Sequence, residues 1–147
     1  MTDPGAVFLD TNILVYAFDR HPSPKKEAAR ALVDQLAETG ALRTSTQVLQ
    51  EFYNVVTRKV QVPISSRKAL ALIDALAAWP VFLVDVPAIR QAASLAEKAS
   101  LSFWDALIVV AASRSGASVL YTEDMNDGER ILGVEIANPF KATRRGA

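Results

Sequence analysis

Ala6-Val7-Phe8-Leu9-Asp10-Thr11-Asn12-Ile13-Leu14-Val15-Tyr16-Ala17-Phe18 sets the architecture of this chain. Its first four residues are apolar without alternation and are bounded by Gly5 and Asp10, as in a strand of a parallel sheet buried on both faces. Residues 12–18 have helical character. Outward from this start the alternation repeats. Ser23-Pro24 is an N-cap and first-turn pair, and it opens a helix that Gly40 closes, with Ala28, Ala31, Leu32 and Leu36 expected on its inner face. Residues 42–45 read as a second strand, and residues 46–59 and 66–78 as helices, the latter stopped by Pro80. Val81-Phe82-Leu83-Val84 is a third buried run. Pro87 then sits in the first turn of a helix to about Ser100, and residues 103–115 form another that ends at Gly116. Ser118-Val119-Leu120-Tyr121 and Val134-Glu135-Ile136 read as strands. Alternating strands and helices imply right-handed crossovers and a parallel sheet covered on both faces. In such sheets functional sites lie beyond the carboxyl ends of the strands.

The 147 residues correspond to one domain, large enough to bury roughly two thirds of its unfolded surface. We expect that domain to span residues 1–140, with residues 141–147 as a basic tail carrying Lys141, Arg144 and Arg145. No repeat or low-complexity linker divides the chain. It has no cysteine and one histidine, His21. Disulfides, thiolate metal sites and cysteine nucleophiles are thereby excluded, as is a histidine-rich metal site. The N-terminus lacks the basic start and apolar stretch of a signal peptide. The longest apolar run, residues 106–112, is far below the ~18 residues of a membrane span. A cytoplasmic protein is expected. The 16 basic and 16 acidic residues balance, whereas nucleic-acid-binding domains are usually basic. Setting four acids aside in one metal site would leave 16 basic against 12 acidic residues on the rest of the surface.

Carboxylates are the chemistry that remains. Asp10 and Asp124 each follow a strand directly, so both stand at the same edge of the sheet. Each has an ordinary structural reading as well, Asp10 as a helix N-cap and Asp124 as a turn acid. Asp105 stands three residues after Ser102, as in a capping box. It also opens a helix that is apolar on every side, where an unpaired carboxylate is costly. Glu51 falls at the edge of the apolar stripe Val48, Phe52, Val55 and Val56, where it could pair with Arg58. Asp127, before Gly128, reads as a turn residue. Converging carboxylates suit Mg²⁺ or Mn²⁺, whose charge relieves their repulsion. Such an ion lowers the pKa of bound water and stabilises the oxygens of an in-line phosphoryl displacement.

Phe8-Leu9-Asp10-Thr11-Asn12-Ile13-Leu14-Val15-Tyr16 resembles the opening motif of PIN-domain proteins. Glu51-Phe52 is similar to their internal helical Glu, and Phe103-Trp104-Asp105-Ala106-Leu107-Ile108 to their third acidic motif. Thr122-Glu123-Asp124 is similar to their Thr-x-Asp motif, and Asn138-Pro139-Phe140 to the ending of many bacterial members. The resemblance covers nearly the whole chain. It implies a three-layer α/β/α sandwich with a central, mostly parallel sheet, and an endoribonuclease dependent on Mg²⁺ or Mn²⁺. It further implies a VapC-type toxin that acts on RNA, is neutralised by a small antitoxin and forms a homodimer. The family's acidic quartet falls on Asp10, Glu51, Asp105 and Asp124, with Asp10 and Asp105 as metal ligands and Thr11, Asn12 and Thr122 as polar support. Glu123 and Asp127 flank the fourth position, and either could stand in for Asp124.

Two other classes fit parts of the pattern. One is a receiver-like phosphoacceptor module with Asp85 as the acceptor, although a paired acid beside Asp10 is missing. The other is a PIN fold used only for binding. Residues 46–59 and 66–78 also carry more apolar side chains than a small core requires, among them Phe52, Tyr53, Val56, Leu72, Leu76 and Trp79. Part of that surplus is expected to meet a partner helix or a second copy.

Overall fold

The computed structural model describes residues 5–141. The opening stretch forms β1 (Val7–Leu9) and α1 (Thr11–Phe18). They are followed by α2 (Pro24–Thr39), β2 (Leu42–Ser45), α3 (Thr46–Arg58), α4 (Ser66–Leu76) and β3 (Val81–Phe82). The second half comprises α5 (Val86–Ala99), α6 (Phe103–Arg114), β4 (Val119–Tyr121), β5 (Arg130–Ile131) and β6 (Val134–Ala137). The sheet order is β3-β2-β1-β4-β6-β5. All pairings are parallel except β5 with β6.

The chain therefore steps outward from β1 to β3 and then returns past β1 to β4. With right-handed crossovers this places α1 to α4 on one face of the sheet and α5 and α6 on the other. The result is the expected three-layer sandwich. The reversal at β1 and β4 is a topological switch point, the place where such sheets leave a crevice beyond their carboxyl ends. Register makes the juxtaposition tight. Leu9 pairs with Tyr121, and the Asp10 N–H donates to the Tyr121 carbonyl at 3.0 Å.

Local chemistry explains where the helices begin. The Ser23, Ser45, Ser65, Asp85 and Ser102 side chains each accept a backbone N–H of the first turn, satisfying donors the helix leaves unpaired. Gly40 ends α2 at φ +76°, a left-handed conformation that costs glycine nothing. In α6, Ala106 to Ala112 are all buried, as an all-apolar helix requires.

Four details differ from expectation. The inner face of α2 is Ala29, Val33 and Leu36, while Ala28 and Ala31 are exposed. Alanine is small enough to be placed on either side, so the larger Val33 sets the rotation. The run after Pro80 is a strand only at Val81 and Phe82 and is not buried, with Leu83 70% exposed, because it lies at the sheet edge with a partner on one side. The antiparallel β5 was not expected: Arg130 and Ile131 are too short to show a period. Finally, Phe52, Val56 and Leu76 are buried, and Tyr53, Leu72 and Trp79 pack partly buried against the core, so most of the apolar surplus is spent inside. Residues 142–147 of the basic tail lie outside the described residues.

Candidate active site at the carboxyl edge of the sheet

Asp10, Glu51, Asp105 and Asp124 line one open cavity of about 420 Å³. They come from four separate segments: the β1–α1 junction, the middle of α3, the first turn of α6 and the turn after β4. Thr11, Asn12, Val15 and Tyr16 of α1 form one wall. Gln47, Glu51, Asn54, Val55 and Lys59 run along the other, and Trp104, Asp105 and Ile108 of α6 complete the lining.

Asp10 is 5% exposed, and each of its carboxylate oxygens accepts one hydrogen bond. Its Oδ1 accepts the Thr11 N–H at 2.7 Å and its Oδ2 accepts the Thr122 hydroxyl at 2.8 Å. It is thus both the cap of α1 and a wall of the cavity, and the two readings of this residue hold together. Burial pushes its pKa up to about 6. The Thr122 and Thr11 bonds oppose that rise, and the charges of Asp124 and Glu51 add to it. Thr122 also accepts the Asp124 N–H at 3.1 Å, so one buried hydroxyl positions two acids. Asp124 has its Oδ2 held by Asn12 Nδ2 at 2.9 Å. Burial raises its pKa, with Asp105 and Glu123 adding like-charge repulsion. Glu51 Oε1 accepts the Thr11 hydroxyl at 2.7 Å, so its partner is Thr11 rather than Arg58. At α6, Ser102 Oγ accepts the Asp105 N–H at 3.0 Å, while the Asp105 side chain lines the cavity.

The two neighbouring acids are turned to other work. Glu123 accepts the Tyr16 hydroxyl and pairs with Lys25 Nζ at 2.8 Å. Burial would raise its pKa, but the Lys25 and Tyr16 bonds outweigh that and hold it below the usual carboxylate value. Lys25 Nζ also lies 5.1 Å from the Tyr16 ring centre and 5.3 Å from that of Phe140. Asp127 Oδ1 accepts the Asn138 N–H at 2.8 Å, tying the β4–β5 connection to the chain after β6. Asp85 caps α5, accepting the Ala88 N–H at 2.9 Å. Its Oδ1 also lies 3.7 Å from Nη1 of Arg114, in the last turn of α6, and Asp85 is not among the residues that line the acidic cavity.

A hard divalent cation suits these donors. They are carboxylate oxygens, and two buried amide oxygens on the cavity lining, Asn12 Oδ1 and Gln47 Oε1, lack hydrogen-bond partners. Among the described residues no three acidic or histidine side chains are gathered tightly enough to hold an ion as they stand. Each acid is tied to a different donor, and like charges keep apart. Mg²⁺ does not require such a cage, because it retains several waters and takes one or two carboxylates together with substrate oxygens. Sequence reasoning did not single out Gln47, Asn54, Lys59 or Trp104. The available signals were spacing for Gln47, one helical turn before Glu51, and adjacency to Asp105 for Trp104.

An α/β/α fold with four acids lining a cavity at its switch point is a scaffold for phosphoryl-transfer chemistry, shared by nucleases and phosphoacceptor modules. Residues 7–126 match the PIN domain family model, and the chain belongs to that family. No curated protein matches it. Among solved structures it is similar to DNA-bound VapBC from Salmonella typhimurium, at 23% identity over 95% of this chain and 99% of that one, with a TM-score of 0.63. VapBC2 from Rickettsia felis, bound to a DNA fragment from the promoter, aligns at 22% identity over 90% and 98%, also with a TM-score of 0.63. Mycobacterium tuberculosis VapC20, a Sarcin-Ricin loop cleaving toxin, aligns at 19% identity over 81% and 92%, with a TM-score of 0.64. At these identities the likeness is one of fold. No helix among the described residues is long and apolar enough to cross a membrane.

Proposed function

We propose that this chain is a metal-dependent endoribonuclease and the toxin of a toxin–antitoxin pair acting in the cytoplasm. The observation that carries the reading is the sharing of one cavity by carboxylates from four separate segments at the switch point of the sheet. Asp10 and Asp105 would hold Mg²⁺ or Mn²⁺. When bound, that ion supplies the positive charge that admits a phosphodiester to an acidic cavity and polarises its oxygens. Thr122 and the Thr11 N–H keep both oxygens of Asp10 oriented. Thr11 and Asn12 fix one oxygen each of Glu51 and Asp124, leaving the second oxygen of either acid to accept a proton. Membership of the PIN family and the toxin–antitoxin assemblies among its structural neighbours support this reading.

The purified chain should cleave RNA with Mg²⁺ or Mn²⁺ and cease with excess EDTA. Asp10→Asn and Asp105→Asn should each abolish cleavage with the fold intact. Wild-type turnover in either variant would overturn the site assignment. Absence of calorimetric Mn²⁺ uptake, unchanged by Asp10→Asn, would favour a PIN fold used only for binding. An apolar groove of about 460 Å³ lies between α3 and α4, lined by Thr46, Leu49, Gln50, Tyr53, Leu70 and Ile73, and it would seat an antitoxin helix or a second copy of the chain. The product of a small adjacent gene should suppress cleavage stoichiometrically, and undiminished cleavage with excess of it would remove the toxin assignment. Light scattering should show a homodimer of the chain alone, and a monomer at high concentration would reject self-association.

A further inference from the structure

Trp104 is 62% exposed, although a large aromatic side chain is favoured inside. Its surroundings hold it there. The ring packs edge-to-face on Phe103, with centroids 5.1 Å apart and planes at 80°. Its carbonyl accepts Gln47 Nε2 at 3.3 Å, from a residue that is itself 6% exposed. Behind it α6 is buried from Ala106 to Ala112. The Gln47 bond anchors the Trp104 backbone, and the exposed residue helps to line the acidic cavity one position before Asp105. From there the cavity lining follows α3 through Gln47, Glu51, Asn54 and Val55 to Lys59. Twelve residues of helix separate Gln47 from Lys59, about 18 Å, and the line runs from an open ring past the carboxylates to a cation.

We propose that Trp104 is a stacking platform for one unpaired nucleobase of the substrate strand, flanking the phosphodiester that reaches the carboxylates. The strand then continues along α3, where Lys59 meets a later phosphate. This rests on the ribonuclease reading and adds to it the residue that seats the substrate. Every base offers a π-face, so the contact tolerates sequence, but only an unstacked base can present that face to the ring. The carboxylates and a cation act on the phosphate, whereas the ring acts on binding. Losing it should therefore raise KM and leave kcat nearly unchanged.

The test uses a short single-stranded RNA that the wild-type chain cleaves with Mn²⁺, prepared with one abasic nucleotide at each position in turn. In the wild type, one abasic position beside the cut should raise KM by roughly 5- to 150-fold, the range a single base–aromatic stack commands. Trp104→Ala should show that raised KM with the intact RNA, with kcat within twofold of wild type and no further response to the abasic position. Trp104→Phe should recover most of the loss. Trp79→Phe leaves Trp104 as the only tryptophan of the sequence. Its emission should be quenched in stopped flow by the intact RNA and not by the RNA abasic at that position. An equal KM and an equal abasic profile in wild type and Trp104→Ala would overturn the proposal. So would a Trp104→Ala chain that turns from dimer to monomer with its abasic profile unchanged, which would assign the ring to a protein interface. A wild-type chain that cleaves no RNA removes the ribonuclease reading and this inference with it.

Discussion

Asp10 combines two demands that oppose each other. Burial favours its neutral form, while the proposed role as a cation ligand needs it charged. With its pKa raised from 3.8 to about 6, the metal-free fold binds this proton more tightly than the unfolded chain does. The associated stability is complete below pH 3.8 and is lost as pH rises through about 6. Above that the cost levels off at about 3 kcal/mol, taking 1.36 kcal/mol per unit. Asp10→Asn removes the buried charge while its amide can still face Thr11 and Thr122. Urea melts in EDTA should therefore show the variant more stable than wild type at pH 7.5, with the difference shrinking toward pH 4. A constant difference across that range would disprove the burial account. Thr122→Val tests the support for the same residue. It deprives Asp10 Oδ2 of its donor and the Asp124 N–H of its acceptor, and should destabilise the chain by about 1–3 kcal/mol in urea melts.

At the scale of elements, caps decide where the site's helices start and so where its acids stand. The serine half of the capping box at α6 forms, with Ser102 Oγ on the Asp105 N–H. Ser102→Ala should cost about 1 kcal/mol of stability. It should also lower the cleavage rate, because fraying the first turn of α6 moves Asp105 as well as Trp104. A stability loss with full activity would show that Asp105 is positioned by packing alone. Gly40 offers a contrasting case. A Cβ there meets nothing within 4 Å, so the only penalty of Gly40→Ala is the left-handed backbone at φ +76°, about 1 kcal/mol. Thermal melts should show that loss with cleavage unchanged, since the turn lies at the opposite edge of the sheet from the cavity.

For the whole molecule, the carboxylates that share the cavity repel one another, and the pKa values of Asp10 and Asp124 are raised in part by that repulsion. A cation that binds only the folded form stabilises it by mass action, about 2.7 kcal/mol at a hundred times its dissociation constant. Mn²⁺ should accordingly raise the melting temperature by several degrees, and Asp105→Asn should abolish most of the rise. An equal shift in the variant would locate the ion elsewhere. Sequence by itself determined the features that rest on near neighbours: the strand–helix alternation, the serine and glycine caps, the all-round burial of α6, and the arrival of Asp10 and Asp124 at one edge. Each follows from short-range sterics, hydrogen bonding and hydrophobic period. Tertiary structure alone decided the rest. It set the rotation of α2, paired the two residues of β5, drew Glu123 away to Tyr16 and Lys25, tied Asp127 to Asn138, and faced Trp104 and Gln47 into the same cavity as the acids. Those outcomes depend on contacts between segments far apart in the chain, where a side chain's partner is fixed by how the layers meet and not by its neighbours in sequence.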